Sequence, residues 1–86
     1  MAQPQPVPFP RIVRNPRILG GEPTVAGTRV SVRIIVQAYR DTPDIATMLE
    51  DYPMLDCAAI EEALAYYEAY RAEIDRYIQE NEDDDQ

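Results

Sequence analysis

Eighty-six residues make one small domain, with room for a core but not for a spacious catalytic cavity. The chain has no histidine, lysine or tryptophan and a single cysteine, which removes the usual proton shuttle, Schiff-base amine and metal ligands, so no enzyme, cofactor or metal site is expected. The net charge of −8 argues against nucleic acid as a partner of the whole chain, yet the charge is segregated: residues 1–40 hold six arginines against one acid, and residues 41–86 hold two arginines against fifteen acids. Such asymmetry fits two different partners, or one half masking the other. A lone Cys57 excludes an internal disulfide, no apolar run reaches the roughly 18 residues a bilayer requires, and no signal-peptide pattern is present, so a reducing cytosol is the expected setting, with no membrane partner.

Five of the eight prolines fall in the first sixteen residues, so residues 1–11 read as a flexible or extended arm. Short extended segments follow at Ile12-Val13 and Arg17-Ile18-Leu19, the second leading through a Gly20-Gly21-Glu22-Pro23 turn back to Thr24-Val25 in a small hairpin. All three glycines, Gly20, Gly21 and Gly27, lie in this stretch. A phosphate cradle would need a Gly-Lys-Ser/Thr ending or a dinucleotide-loop spacing, and neither is present. The glycines are expected instead to supply positive φ at sharp reversals.

Residues 29–40, RVSVRIIVQAYR, alternate like a strand and also follow helical spacing. Ser31 is a good N-cap and Asp41-Thr42-Pro43 ends the segment, so a helix is expected from about Val32 to Arg40. Thr42 or Asp44 can cap a short helix through Glu50, with Ile45, Met48 and Leu49 inward, and Tyr52-Pro53 stops it. Asp56 then caps a long helix over residues 56–79, in which Ile60, Leu64, Tyr67, Arg71, Ile74 and Ile78 recur at spacings of four and three. At 1.5 Å per residue such a helix runs about 35 Å, beyond what so small a domain can cover. Residues 12–70 therefore read as a hairpin plus three-helix domain, and residues 71–86 as a projecting helix end and an acidic tail, ENEDDDQ.

Ile45-Ala46…Leu49 followed by Ile60…Leu64 has the spacing of a helix-turn-helix with an extended turn, although a trihelical bundle without any nucleic-acid role fits the same pattern. The outer face of the second helix would carry Asp56, Ala59, Glu61 and Glu62, which repel phosphate and offer no bidentate donor to a base. Any DNA contact would fall to Arg11, Arg14, Arg17, Arg29 and Arg33. Arg29, next to the Gly27 bend, is expected to pair with the Glu50-Asp51 segment, and Cys57 to be a small buried apolar residue.

The stretch GGEPTVAGTRV, with Gly20, Gly21, Pro23, Gly27, Thr28, Arg29 and Val30, is followed in order by Asp51, Tyr52, Pro53 and Leu55. These two blocks resemble the small prokaryotic proteins of domain-of-unknown-function family 433, over about residues 12–68. The resemblance implies a homeodomain-like helical bundle preceded by short strands. It also implies a VapB-like antitoxin of a type II pair, with a PIN-like ribonuclease toxin as partner and operator DNA as an open second partner. A stand-alone DNA-binding regulator is the alternative. The overall expectation is a mainly α fold, a small N-terminal β-hairpin followed by a three-helix bundle with a long C-terminal helix, assembled as a homodimer. Four of the six tyrosines lie on the last helix, where Tyr66, Tyr67, Tyr70, Ile74, Tyr77 and Ile78 form the expected partner surface. The same stripe would also serve a homodimer seam or the domain's own core.

Overall fold

The computed structural model describes residues 9–84. Strand β1 (Ile12–Arg14) pairs antiparallel with β2 (Pro23–Val25), Ile12 facing Val25 and Arg14 facing Pro23. Four helices follow: α1 (Val32–Asp41), α2 (Ile45–Asp51), α3 (Cys57–Ala69) and α4 (Arg71–Asp84). The fold is mainly α with a small N-terminal hairpin, as the sequence pattern suggests.

The hairpin is built from different segments than expected. Ile12 to Arg14, not Arg17 to Leu19, pairs with β2, and residues 15–22 form the loop between the strands. A 3₁₀ turn over Leu19–Gly21 closes that loop, with the Gly21 N–H donating to the Ile18 carbonyl at 3.0 Å. Leu19, Gly20 and Gly21 all have positive φ (52°, 65° and 91°), and two glycines there remove the Cβ penalty that Leu19 alone retains. Gly27 (φ 79°) serves the second reversal. Beside it the Thr28 hydroxyl donates to the Val25 carbonyl at 2.8 Å and accepts from the Val30 N–H at 3.0 Å, tying the bend that delivers the chain to α1.

Each of the first three helices begins on a side-chain cap. The Ser31 hydroxyl accepts from the Ile34 N–H, the Asp44 carboxylate from the Ala46 N–H, and the Asp56 carboxylate from the Ala59 N–H. These bonds satisfy N–H groups that have no helical partner. Val32, Ile35 and Val36 of α1, Met48 of α2 and Ile60, Ala63 and Tyr66 of α3 then meet in one core.

The last helix departs most from expectation. The single long helix is two helices broken at Tyr70 (φ −128°, ψ 45°), and α4 packs back on α1 and α3 instead of projecting. Ile74 is fully buried and Ile78 nearly so. Burying an isoleucine side chain stabilises by about 1.5–3 kcal/mol. A helix break forfeits a few hydrogen bonds at a net of about 1 kcal/mol each. Two buried isoleucines together with the polar contacts described below therefore outweigh the break. Of the arm expected over residues 1–11, the described part is held against the fold. Phe9 is buried, its ring 5.2 Å from that of Tyr66 and edge-on, and Arg11 is bonded to α3, while the rest of the expected arm lies outside the described residues.

Candidate functional site

The five arginines expected to contact DNA do not form one basic surface. Arg11 donates from its backbone N–H and its guanidinium to Glu62 on α3, at 2.6 and 3.0 Å. Arg14 pairs with Glu73 on α4 at 2.6 Å and donates to the Tyr66 hydroxyl at 2.7 Å. Arg33 meets Glu22 at 3.1 Å, in a pair whose side chains are only 13% and 10% exposed. These three guanidiniums are thus held by carboxylates of the chain itself. Arg17 and Arg29 are exposed and make no ion pair among the described residues, so Arg29 does not bind the Glu50-Asp51 segment as expected. Arg29 instead lines an open groove together with Val13, Ile18, Val30, Ile34 and Met54.

The expected partner stripe is largely internal. Tyr66 and Tyr67 are buried, as are Ile74 and Ile78; Tyr77 is half-buried against the core, and Tyr70 alone is exposed. The break at Tyr70 turns the stripe inward, so its residues serve the domain's own packing.

What the stripe does instead is anchor α4 through two parallel networks. Arg14 of β1 bonds Tyr66, whose hydroxyl is 3.5 Å from Glu73 of α4. Arg40 of α1 bonds the Tyr67 hydroxyl, which donates to Asp75 of α4 at 2.7 Å. Burial pushes both phenols above the ordinary tyrosine value; the charge of Glu73 adds to this at Tyr66, and the hydrogen bond to Asp75 adds to it at Tyr67. The hydrogen bond from Arg14 to Glu73 holds that guanidinium even more firmly protonated. Arg40 and Arg71 also lie 5.4 and 5.1 Å from the centre of the Tyr67 ring, within cation–π reach. Sequence reasoning missed Arg40, Glu73 and Asp75. Their only sequence signal is two adjacent tyrosines followed seven and eight residues later by acids, a spacing that says nothing until the intervening break is known.

The outward surface of α3 carries Cys57, Ala58, Glu61, Ala65, Glu68 and Ala69, all exposed. Cys57 is therefore not the buried residue expected, and its thiol donates to Glu61 at 3.4 Å. On α4 the last turns hold Glu80, Glu82, Asp83 and Asp84 with no basic residue in the final turn. No helix among the described residues is long and apolar enough to cross a membrane.

Residues 12–67 match the family described as "Protein of unknown function (DUF433)". The chain is 40% identical over 58 residues to "Uncharacterized protein y4eO" of Sinorhizobium fredii (strain NBRC 101917 / NGR234), a match that takes in 67% of this chain but 26% of that relative, so the chain spans about a quarter of the relative's length. Its fold is similar to the crystal structure of a DUF433 member protein from Anabaena variabilis ATCC 29413, with a TM-score of 0.76 and 29% identity over 80% of this chain and 68% of that one. With well over half of the chain matched by the family model, and a member's crystal structure sharing the fold, the protein belongs to the DUF433 family.

Proposed function

We propose that the protein is the antitoxin of a type II pair that neutralises a PIN-like ribonuclease, and that it does so through the acidic end of α4 rather than through the tyrosine stripe. The observation that carries this reading is electrostatic. Glu80, Glu82, Asp83 and Asp84 crowd the C-terminal turns of a helix, where the backbone dipole already presents partial negative charge. Each acid placed there costs the isolated helix about 0.3–1 kcal/mol, so the run does not serve the fold. A ribonuclease site is electropositive or filled with metal ions, and so offers this helix end compensating charge. The family resemblance supports the same class of partner.

Replacing these residues together (Glu80→Gln, Glu82→Gln, Asp83→Asn, Asp84→Asn, Asp85→Asn) tests the reading. We expect RNA cleavage by the co-purifying ribonuclease to be inhibited by the wild-type chain and released by the neutralised variant. Equal inhibition by both would overturn the reading. Exposed Arg17 and Arg29 favour a second reading, a DNA-binding regulator. In that case no nuclease would follow the tagged chain from its native cells, and the chain alone would be retained on DNA in a salt-dependent way.

A further inference from the structure

Residues 68–72, Glu-Ala-Tyr-Arg-Ala, contain neither glycine nor proline, and four of the five are strong helix formers, yet the helix breaks within them. The break is confined to Tyr70. Its N–H still donates to the Tyr66 carbonyl at 2.9 Å, and its carbonyl still accepts from the Ile74 N–H at 3.2 Å. The N–H groups of Arg71, Ala72 and Glu73 open α4 without helical partners, and the carbonyls of Tyr67, Glu68 and Ala69 close α3 in the same condition. Returning one residue to helical φ and ψ would join all three pairs and merge α3 and α4 into one helix about 42 Å long.

Local preference and packing thus oppose each other at this hinge. Contacts on other elements hold α4 back: the core that receives Ile74 and Ile78, Arg14 of β1 for Glu73, and Arg40 of α1 for Asp75. Every one of those receptors is present on a second copy of the chain. We propose that α4 is an exchangeable arm: Tyr70 straightens, and the α4 of each copy packs on β1, α1 and α3 of the other, giving a two-fold dimer. The exchanged form keeps both Arg–Tyr–carboxylate networks and both buried isoleucines, and it regains the helical bonds lost at the hinge. A one-residue connection is also the kind of short hinge at which exchange between copies competes with folding back. This assembly is independent of any nuclease or DNA partner.

Charge reversal across the two halves provides the test. Arg14→Glu and Glu73→Arg each set like charges against one another when α4 packs within its own copy. In an exchanged pair made of one copy of each variant, both interfaces are matched. Unfolded together and refolded, an equimolar mixture is expected to yield a one-to-one dimer at least about tenfold more abundant than either variant gives alone. A mixture that behaves as the sum of its parts would overturn the proposal. The wild type gives an independent check by sedimentation: a dimer that grows with concentration is expected, and a monomer throughout, up to about 1 mM, contradicts the exchange. A Gly-Ser-Gly-Ser insertion after Tyr70 gives α4 a longer, flexible connection on which to fold back and should return the chain to a monomer. Persistence of the dimer in that variant would show that it forms by another route.

Discussion

Cys57 exposes its thiol in the first turn of α3, a place where the helix dipole alone would favour the thiolate. The hydrogen bond to Glu61, with smaller contributions from desolvation and the Glu61 and Asp56 charges, pushes the thiol above its ordinary value instead. Exposure therefore does not make it reactive. Alkylation at neutral pH should be slow, and Glu61→Ala should speed it measurably. An unchanged rate in Glu61→Ala would mean that Glu61 does not govern the thiol. The two anchored phenols give a second expectation. Tyr66 and Tyr67 have raised values in the fold, so the unfolded chain loses these protons first as pH rises. Their contribution is complete below the unfolded value of about 10 and is lost above it. The melting temperature should be flat from neutral pH to about pH 9 and fall beyond pH 10, and Tyr67→Phe should flatten that alkaline fall.

Helix starts were legible in the sequence because the caps are local chemistry. Ser31, Asp44 and Asp56 each accept the N–H bond that their side chains suggest, and Ser31→Ala should cost about 1–2 kcal/mol in chemical denaturation, toward the upper end because this residue is fully buried. The positive-φ role of the three glycines was legible for the same reason. Strand pairing was not, since it depends on which of two extended segments reaches Thr24, and the loop that decides it carries an unusual left-handed Leu19. Nor was the end of α3. Tyr70 sits among helix formers, and it is the burial of Ile74 and Ile78, together with the contacts of Glu73 and Asp75, that makes a break there favourable. Ile74→Ala should accordingly destabilise by about 2–5 kcal/mol, whereas on a projecting helix it would change little. The candidate contacts were misread for a related reason. Arg11, Arg14 and Arg33 look free in sequence, but each meets an acid far along the chain or across a turn, the partners being Glu62, Glu73 and Glu22.

The two charge-segregated halves of the chain are joined in the folded molecule, because arginines of the basic half pair with acids on α3 and α4. One half therefore does mask part of the other, whereas Arg17 and Arg29 are exposed and make no ion pair among the described residues. Ending the chain at Tyr70 removes Ile74, Ile78, Glu73 and Asp75 at once and should abolish the cooperative thermal transition. Ending it at Gln79 removes five acids with Asn81 and Gln86 but no residue of the buried core, and should leave the transition at or above its full-length temperature. That shortened chain also supplies the most direct measurement of the proposed partner surface: calorimetric titration of the proposed PIN-like ribonuclease partner with full-length protein and with the chain ending at Gln79. We expect the full-length protein to bind and the shortened one to bind at least about tenfold more weakly, a difference of about 1.4 kcal/mol. Equal affinity for the two chains, or no binding by the full-length protein, would contradict the assignment of the acidic helix end as the toxin-neutralising surface.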